Sequence, residues 1–247
     1  MDRNTRLFKT TIIYFIGTFG SKLLIFFLLP LYSNYLSTEQ YGNLSLVTNI
    51  VPLIGPIFTL QITETIFRFL CTAKEEEKSD YISNAIFLLF AGIMLFIITY
   101  IPIAIITKFE YTFLFMMYFI ANYLGIFVQQ VLRGFGKNID YSITGVLSTI
   151  VQLLINVVMI KFIYEKSILL ATIIGSTVII IYALFRIRIF RYINKKLISK
   201  HTIKKMLRYS LPLVPNQISW WFNDTVGLYI LRLFVGASAT RNNKFIK

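Results

Sequence analysis

The sequence predicts an all-α polytopic membrane bundle of about six to seven transmembrane helices. Three observations lead there. Of 247 residues 56% are hydrophobic and 15% charged, and the mean hydropathy is +0.69, so a soluble fold of this size would lack a polar exterior. The ionised residues gather between long apolar runs. Lys and Arg concentrate in alternate gaps between those runs, as cytoplasmic loops do. Disorder, collagen and a disulfide scaffold are excluded by the same composition.

Segment three is the plainest span, because Tyr81 to Thr107 holds 27 residues without a charge where about 20 suffice to cross the bilayer core. Segments four, five and six follow as charge-free runs: 22 residues from Tyr111 to Leu132, 20 from Tyr141 to Ile160 and 19 from Ser167 to Phe185. Segment one, about Thr11 to Leu36, carries Lys22 near its middle and follows a basic start. It is longer than a signal-peptide core and has no A-x-A cleavage pattern, so it is expected to stay attached as the first span. Segment two, about Tyr41 to Leu70, holds Pro52, Gly55 and Pro56 in mid-run, which predicts a bent helix there. Segment seven, about Leu211 to Phe234, is interrupted by Pro212, Pro215, Asp224 and Arg232 and reads as a weaker span.

With a cytoplasmic N-terminus, seventeen Lys and Arg fall inside and three (Lys108, Lys161, Lys166) outside, a strong positive-inside bias. The chain divides into a six-helix lobe over 1–185, a basic cytoplasmic linker over 186–208, and a seventh helix with a divergent tail over 209–247. The linker's basic residues alternate with Ile189, Phe190, Tyr192, Leu197, Ile198 and Met206. Two readings stand: a helix lying on an anionic leaflet, or a solvated connection with ordinary positive-inside charge.

The net charge of +14 would point to nucleic acid if it formed a face or stripe; confined to gaps between spans, it does not. Cys71 and His201 are each the sole residue of their type, so neither an intrachain disulfide nor a Cys/His zinc cluster is expected. G-x-S-x-G, G-x-x-x-x-G-K-[ST], G-x-G-x-x-G and H-E-x-x-H are all missing. Arg133-Gly-Phe-Gly-Lys137 is the nearest thing to a phosphate loop, but with no strand before it and no Ser or Thr after it, it reads as a cytoplasmic turn. The expectation is a protein that is not an enzyme, with neither metal nor organic cofactor.

Polarity inside apolar helices is where function is sought, since a central charge costs about 2.5–3.5 kcal/mol on insertion scales. Lys22 is either a cation facing a hydrated cavity or half of a buried ion pair with Glu64. Gln61, Glu64 and Arg68 share one face of segment two. Glu64 is read chiefly as the partner of Arg68 or Lys22, with a proton or cation site as the alternative. On segment five Ser148, Gln152 and Asn156 recur every four residues, and on segment four Asn122 and Gln129 stand seven apart. Each set forms a stripe that should face protein or water, as interhelical glue or as cavity lining. Segment seven places Asn216 with Asn223 and Gln217 with Asp224, and Trp220 and Trp221 suit either interfacial anchors or sugar-stacking platforms.

Four passages are familiar together: Leu29-Pro-Leu-Tyr-Ser-Asn-Tyr-Leu-Ser-Thr-Glu-Gln-Tyr-Gly-Asn43, Glu64-Thr-Ile-Phe-Arg-Phe69, Gln130-Val-Leu-Arg-Gly-Phe-Gly-Lys137, and Tyr209-Ser-Leu-Pro-Leu-Val-Pro215 leading into Trp220-Trp221. In their order, from about residue 10 to 240, they resemble the O-antigen and capsule flippases of the multidrug/oligosaccharidyl-lipid/polysaccharide exporter superfamily. The resemblance implies a bacterial inner-membrane transporter that moves an undecaprenyl-pyrophosphate-linked oligosaccharide outward, working by alternating access between two lobes of about twelve to fourteen helices in all. It implies Lys22 and Arg68 as contacts to pyrophosphate or acidic sugars; the polar faces read above supply Gln61, Asn122, Gln129, Gln152 and Asn156 as further cavity candidates. Sodium or a proton is the implied coupling ion, with Glu64 and Asp224 as candidates, and glycan polymerases or glycosyltransferases are the implied protein partners. Multidrug antiport in the related extrusion family and a non-transporting scaffold role are the alternatives.

One departure stands at the end. If a second lobe repeats the first, Phe234 to Arg241 aligns with Tyr35 to Gly42, and Arg241 takes the glycine position before a polar tail. The expectation is the first lobe plus the opening helix of the second, cut short. Such a product would pair with another chain or, the preferred expectation, not transport by itself.

Overall fold

The computed structural model describes residues 34–109, 111–164 and 166–223. Among them seven helices form an all-α bundle: α1 (Thr38–Thr59), α2 (Ile62–Thr72), α3 (Glu75–Thr107), α4 (Thr112–Gly134), α5 (Asn138–Ile163), α6 (Lys166–Ile187) and α7 (Lys200–Ser210), with a further helical stretch over 213–223. The helices α3 to α6 are each long and apolar enough to cross a membrane, and α1 with α2 forms a bent fifth candidate. They correspond to segments two to six; Lys22, Asp224 and nearly all of segment one lie outside the described residues.

The protein starts α1 with a reciprocal cap. The Ser37 hydroxyl accepts from the Gln40 N–H at 3.2 Å, and the Gln40 side chain accepts from the Ser37 N–H at 2.9 Å. The bend expected at Pro52, Gly55 and Pro56 falls later. Both prolines lie inside α1, and the chain turns by 58° at Leu60–Gln61. Those two residues hold left-handed backbones at φ 50° and 54°, which costs a non-glycine residue about 1 kcal/mol or more. The glycine in that run serves close packing instead. A Cβ on Gly55 would lie 1.5 Å from the Tyr123 phenol oxygen, and that phenol donates to the Val51 carbonyl at 3.2 Å.

Helix α3 begins six residues before the charge-free run, at Glu75. Its 33 residues reach about 50 Å, so its acidic first turn extends past the bilayer core. That turn is capped by Glu77, whose carboxylate accepts from the Lys74 N–H at 2.9 Å, and acidic residues suit a helix N-terminus.

Two apolar cores result. Toward one end Val51, Phe96, Phe115, Phe119 and Tyr123 pack between α1, α3 and α4, with the Phe96 and Phe119 rings stacked at 3.8 Å. Toward the other, Ile62, Ile66, Leu70, Ile82, Val131, Leu132 and Met206 join α2, α3, α4 and α7. Exposed Ile98, Ile105, Ile106, Leu154 and Phe162 give the bundle the apolar exterior that lipid demands.

The stretch 186–208 is more ordered than either expectation for it. After two 3-10 turns, Ile189–Tyr192 and Lys195–Leu197, α7 docks on α2 and α3 with Met206 fully buried. Asn84, itself buried, donates to the Leu197 carbonyl at 3.0 Å and accepts from the Ser199 N–H at 3.0 Å. Ser79 donates to the Tyr192 carbonyl at 2.7 Å, and Thr202 to the Asp80 carboxylate at 2.9 Å. The backbone of this stretch and Thr202 thus have fixed partners on α3, while its Lys and Arg side chains stay exposed.

Candidate functional site

The polar stripes of segments four and five converge. Asn122, Gly125 and Gln129 of α4, Gly145, Ser148, Thr149 and Gln152 of α5, and Thr172 and Ser176 of α6 line a cavity of about 270 Å³. Four residues singled out by spacing, Asn122, Gln129, Ser148 and Gln152, thus share one space in the middle of three apolar helices. Gln129 donates to the Thr144 hydroxyl at 3.3 Å, which steadies its amide at the rim.

Glycines set the shape. A Cβ on Gly125 would come within 3.2 Å of Ser176, so α4 and α6 are at near-minimal separation there. On Gly175 a Cβ would meet the Gln152 side chain at 2.6 Å, whereas on Gly145 it would meet nothing within 4 Å. Gly175 therefore makes room for Gln152, and Gly145 leaves the hollow open. Among the described residues the lining is neutral: amides and hydroxyls that can donate and accept, with no ionised side chain. Such a surface is suited to hydroxyl-rich or hydrated guests and offers no general acid or base.

Asn156 is buried one turn further along α5, donating to the Gln152 carbonyl at 2.9 Å and accepting from Ser167 at 3.4 Å. It joins α5 to α6 and does not line the hollow. Gln61 sits in the α1–α2 break, buried, its carbonyl accepting both the Thr65 N–H and the Thr65 hydroxyl.

Glu64 is not paired with Arg68. Its carboxylate accepts from the Gln130 amide of α4, and the Gln130 carbonyl oxygen accepts from Arg133 at 2.9 Å. The i,i+4 spacing permitted the Arg68 pair, but α4 crosses α2 at this point and supplies a nearer donor. Arg68 is exposed, with no ion-pair partner among the described residues. The Arg133 guanidinium lies 4.2 Å from the Phe67 ring centre and 5.2 Å from that of Tyr141, a cation–π arrangement. These contacts link two of the familiar passages, Glu64–Phe69 and Gln130–Lys137, by joining Glu64 to Gln130 and, through it, to Arg133, which sequence reasoning had left among the loop charges.

A second cluster was also missed. Asp140, buried at the start of α5, accepts from Tyr182 at 2.8 Å and from Arg186 at 2.9 Å. The only hint in sequence was a carboxylate near the start of a helix that begins beside a basic loop. Lys205 donates to the Tyr81 phenol at 2.8 Å, and this hydrogen bond raises the ammonium above its ordinary value. On the 213–223 stretch, Trp221 donates to the Asn49 carbonyl at 2.8 Å and Trp220 is exposed, as are Asn216, Gln217 and Asn223. Among the described residues no group of His, Cys, Asp or Glu is placed to hold a metal ion.

Comparison with curated proteins and with solved structures gives no significant match. The family model described as polysaccharide biosynthesis protein matches residues 7–241, nearly the whole chain and every helix above. The multi-pass bundle, its neutral mid-helix hollow and the two linked passages thus sit on a chain that belongs to the polysaccharide biosynthesis protein family.

Proposed function

We propose that this chain acts in moving lipid-linked oligosaccharide repeat units outward across the bacterial cytoplasmic membrane, with its N-terminus in the cytoplasm, as a transporter and not an enzyme. The observation that carries the reading is the neutral hollow between α4, α5 and α6, lined by amides and hydroxyls in the middle of apolar spans. Sugar hydroxyls demand that chemistry, and polar groups at this depth are seldom idle. Lys22 and Arg68 serve the pyrophosphate or acidic sugars, and Glu64 or Asp224 takes the coupling sodium ion or proton. Glycan polymerases or glycosyltransferases of the same membrane are the protein partners. Among the described residues the hollow's lining holds no carboxylate, which disfavours drug or cation antiport through it.

The test is expression of this chain in a bacterium lacking its own repeat-unit flippase, scored by surface polysaccharide and by the membrane side on which lipid-linked glycan accumulates. Restored export when a second copy or a co-expressed companion chain completes the transporter, lost in Gln152→Leu at equal membrane abundance, is the expected result. A well-inserted chain that restores nothing yet copurifies with a glycosyltransferase would replace transport by a scaffold role.

A further inference from the structure

A second hollow lies on the outer face of the bundle. Leu147 of α5 and Val178, Ile181, Tyr182, Phe185 and Arg186 of α6 line an open groove of about 520 Å³. From Val178 to Arg186 the helix rises about 12 Å, close to the roughly 15 Å hydrocarbon depth of one leaflet. The groove is apolar along that length and ionic at one end.

At that end the Arg186 Nε donates to Asp140 at 2.9 Å, Tyr182 donates to the same carboxylate oxygen, and Lys137 donates to the Arg186 carbonyl at 2.8 Å. The Arg186 side chain remains 60% exposed. Of a guanidinium's five N–H donors, only the one on Nε has a partner among the described residues. Asp140 offsets one positive charge while Arg186 and Lys137 supply two, so the end of the groove is net cationic. Because Asp140 holds the guanidinium in place, little side-chain freedom is lost when its open edge meets an anion. A planar fork of this kind matches a phosphate.

We propose that this groove binds an anionic phospholipid of the surrounding bilayer, with the phosphate at Arg186 and one acyl chain along Val178 and Leu147. The site is independent of what the inner hollow carries; it requires only that α5 and α6 stand in lipid.

The experiment places a reporter at the groove, Phe185→Trp, in the purified chain reconstituted in vesicles, with the parent's Trp220 and Trp221 as background. Quenching is compared between dibrominated phosphatidylglycerol and dibrominated phosphatidylcholine at equal mole fraction. A preference for phosphatidylglycerol of about fivefold is expected, the factor that one basic group near a membrane surface provides. The double change Asp140→Asn with Arg186→Gln leaves net charge unaltered and no buried ion unpaired, and it should erase the preference. Val178→Phe narrows the trough without touching a charge and should reduce quenching by both lipids, which keeps the test alive if the double variant does not fold. Equal quenching by the two lipids, a preference that survives the double change, or protection from both lipids would each overturn the proposal. Stronger competition by a polyprenyl phosphate than by phosphatidylglycerol would overturn it too, by assigning the groove to a carrier lipid.

Discussion

The two sides of α4 differ as much as any two regions of this molecule. Toward α1 and α3 it presents Phe115, Phe119 and Tyr123 to a packed aromatic core, with a ring stack at 3.8 Å. Toward α5 and α6 it presents Asn122, Gly125 and Gln129 to a hollow of about 270 Å³. One side has no room for a methyl group at Gly55 or Gly92, where a Cβ would strike Tyr123 or the Phe58 carbonyl; the other has open space at Gly145. The contrast teaches that rigidity and capacity are kept apart in this lobe, so substitutions should separate them cleanly.

The largest effect belongs to the packed side. Phe119→Ala should lower stability by about 3–5 kcal/mol, read as the loss of unfolding temperature of purified protein in detergent. Gly92→Ala comes next at about 1–3 kcal/mol, because the obstructing atom, 2.0 Å away, is a backbone oxygen that cannot rotate aside. A drop of similar size for Gly145→Ala would break the comparison. That change should instead leave stability level or raise it by up to about 1 kcal/mol through helix propensity, while shrinking the hollow and lowering any export that the chain supports. Removing the Asn84 amide with Asn84→Ala leaves the Leu197 carbonyl and the Ser199 N–H without their partner, at about 1–3 kcal/mol for the docked segment. Tryptic cleavage at Lys195 and Lys196 should accelerate while the α4–α6 core keeps its resistance.

The smallest effect is a pH dependence at α7. Lys205 is raised above its ordinary 10.5, first by its hydrogen bond to Tyr81. A raised lysine stabilises the folded form fully below the unfolded value and loses that contribution as pH climbs through the folded one. Since the ammonium is largely solvated, Lys205→Met should cost no more than about a degree or two of unfolding temperature at pH 8. The difference should shrink as pH climbs above 10.5, and one that stayed constant would assign the effect to packing.

The spans were legible because length and absence of charge are local properties: Tyr81–Thr107 needs no tertiary information to be read. The hollow was legible in part, since Asn122 with Gln129, and Ser148 with Gln152, repeat at helical spacing and so must share a face. Its third wall was not, because Thr172 and Ser176 are ordinary in a span until α6 is known to lean against Gly125. The bend escaped for a related reason. Leu60 and Gln61 carry no conformational signature, while the prolines that drew attention are absorbed within α1. The partner of Glu64 depended on which helix crosses α2, and no spacing along one helix reports that. Asn84 carries no signal in sequence; only the docked turns give it two partners.

Asn122 and Tyr123 are neighbours in sequence, so on α4 their directions differ by about 100°. Rolling this helix by a single residue would thrust the phenol into the polar void in one sense and drive an amide among stacked rings in the other, so each sense of rotation carries its own penalty. The shaft is therefore keyed against twisting in its socket. Any enlargement of the void has to come from α5 and α6 sliding away as a pair, with α4 fixed to its aromatic side, and spin labels on α3 and α4 should keep a constant separation whenever the α4–α6 distance changes.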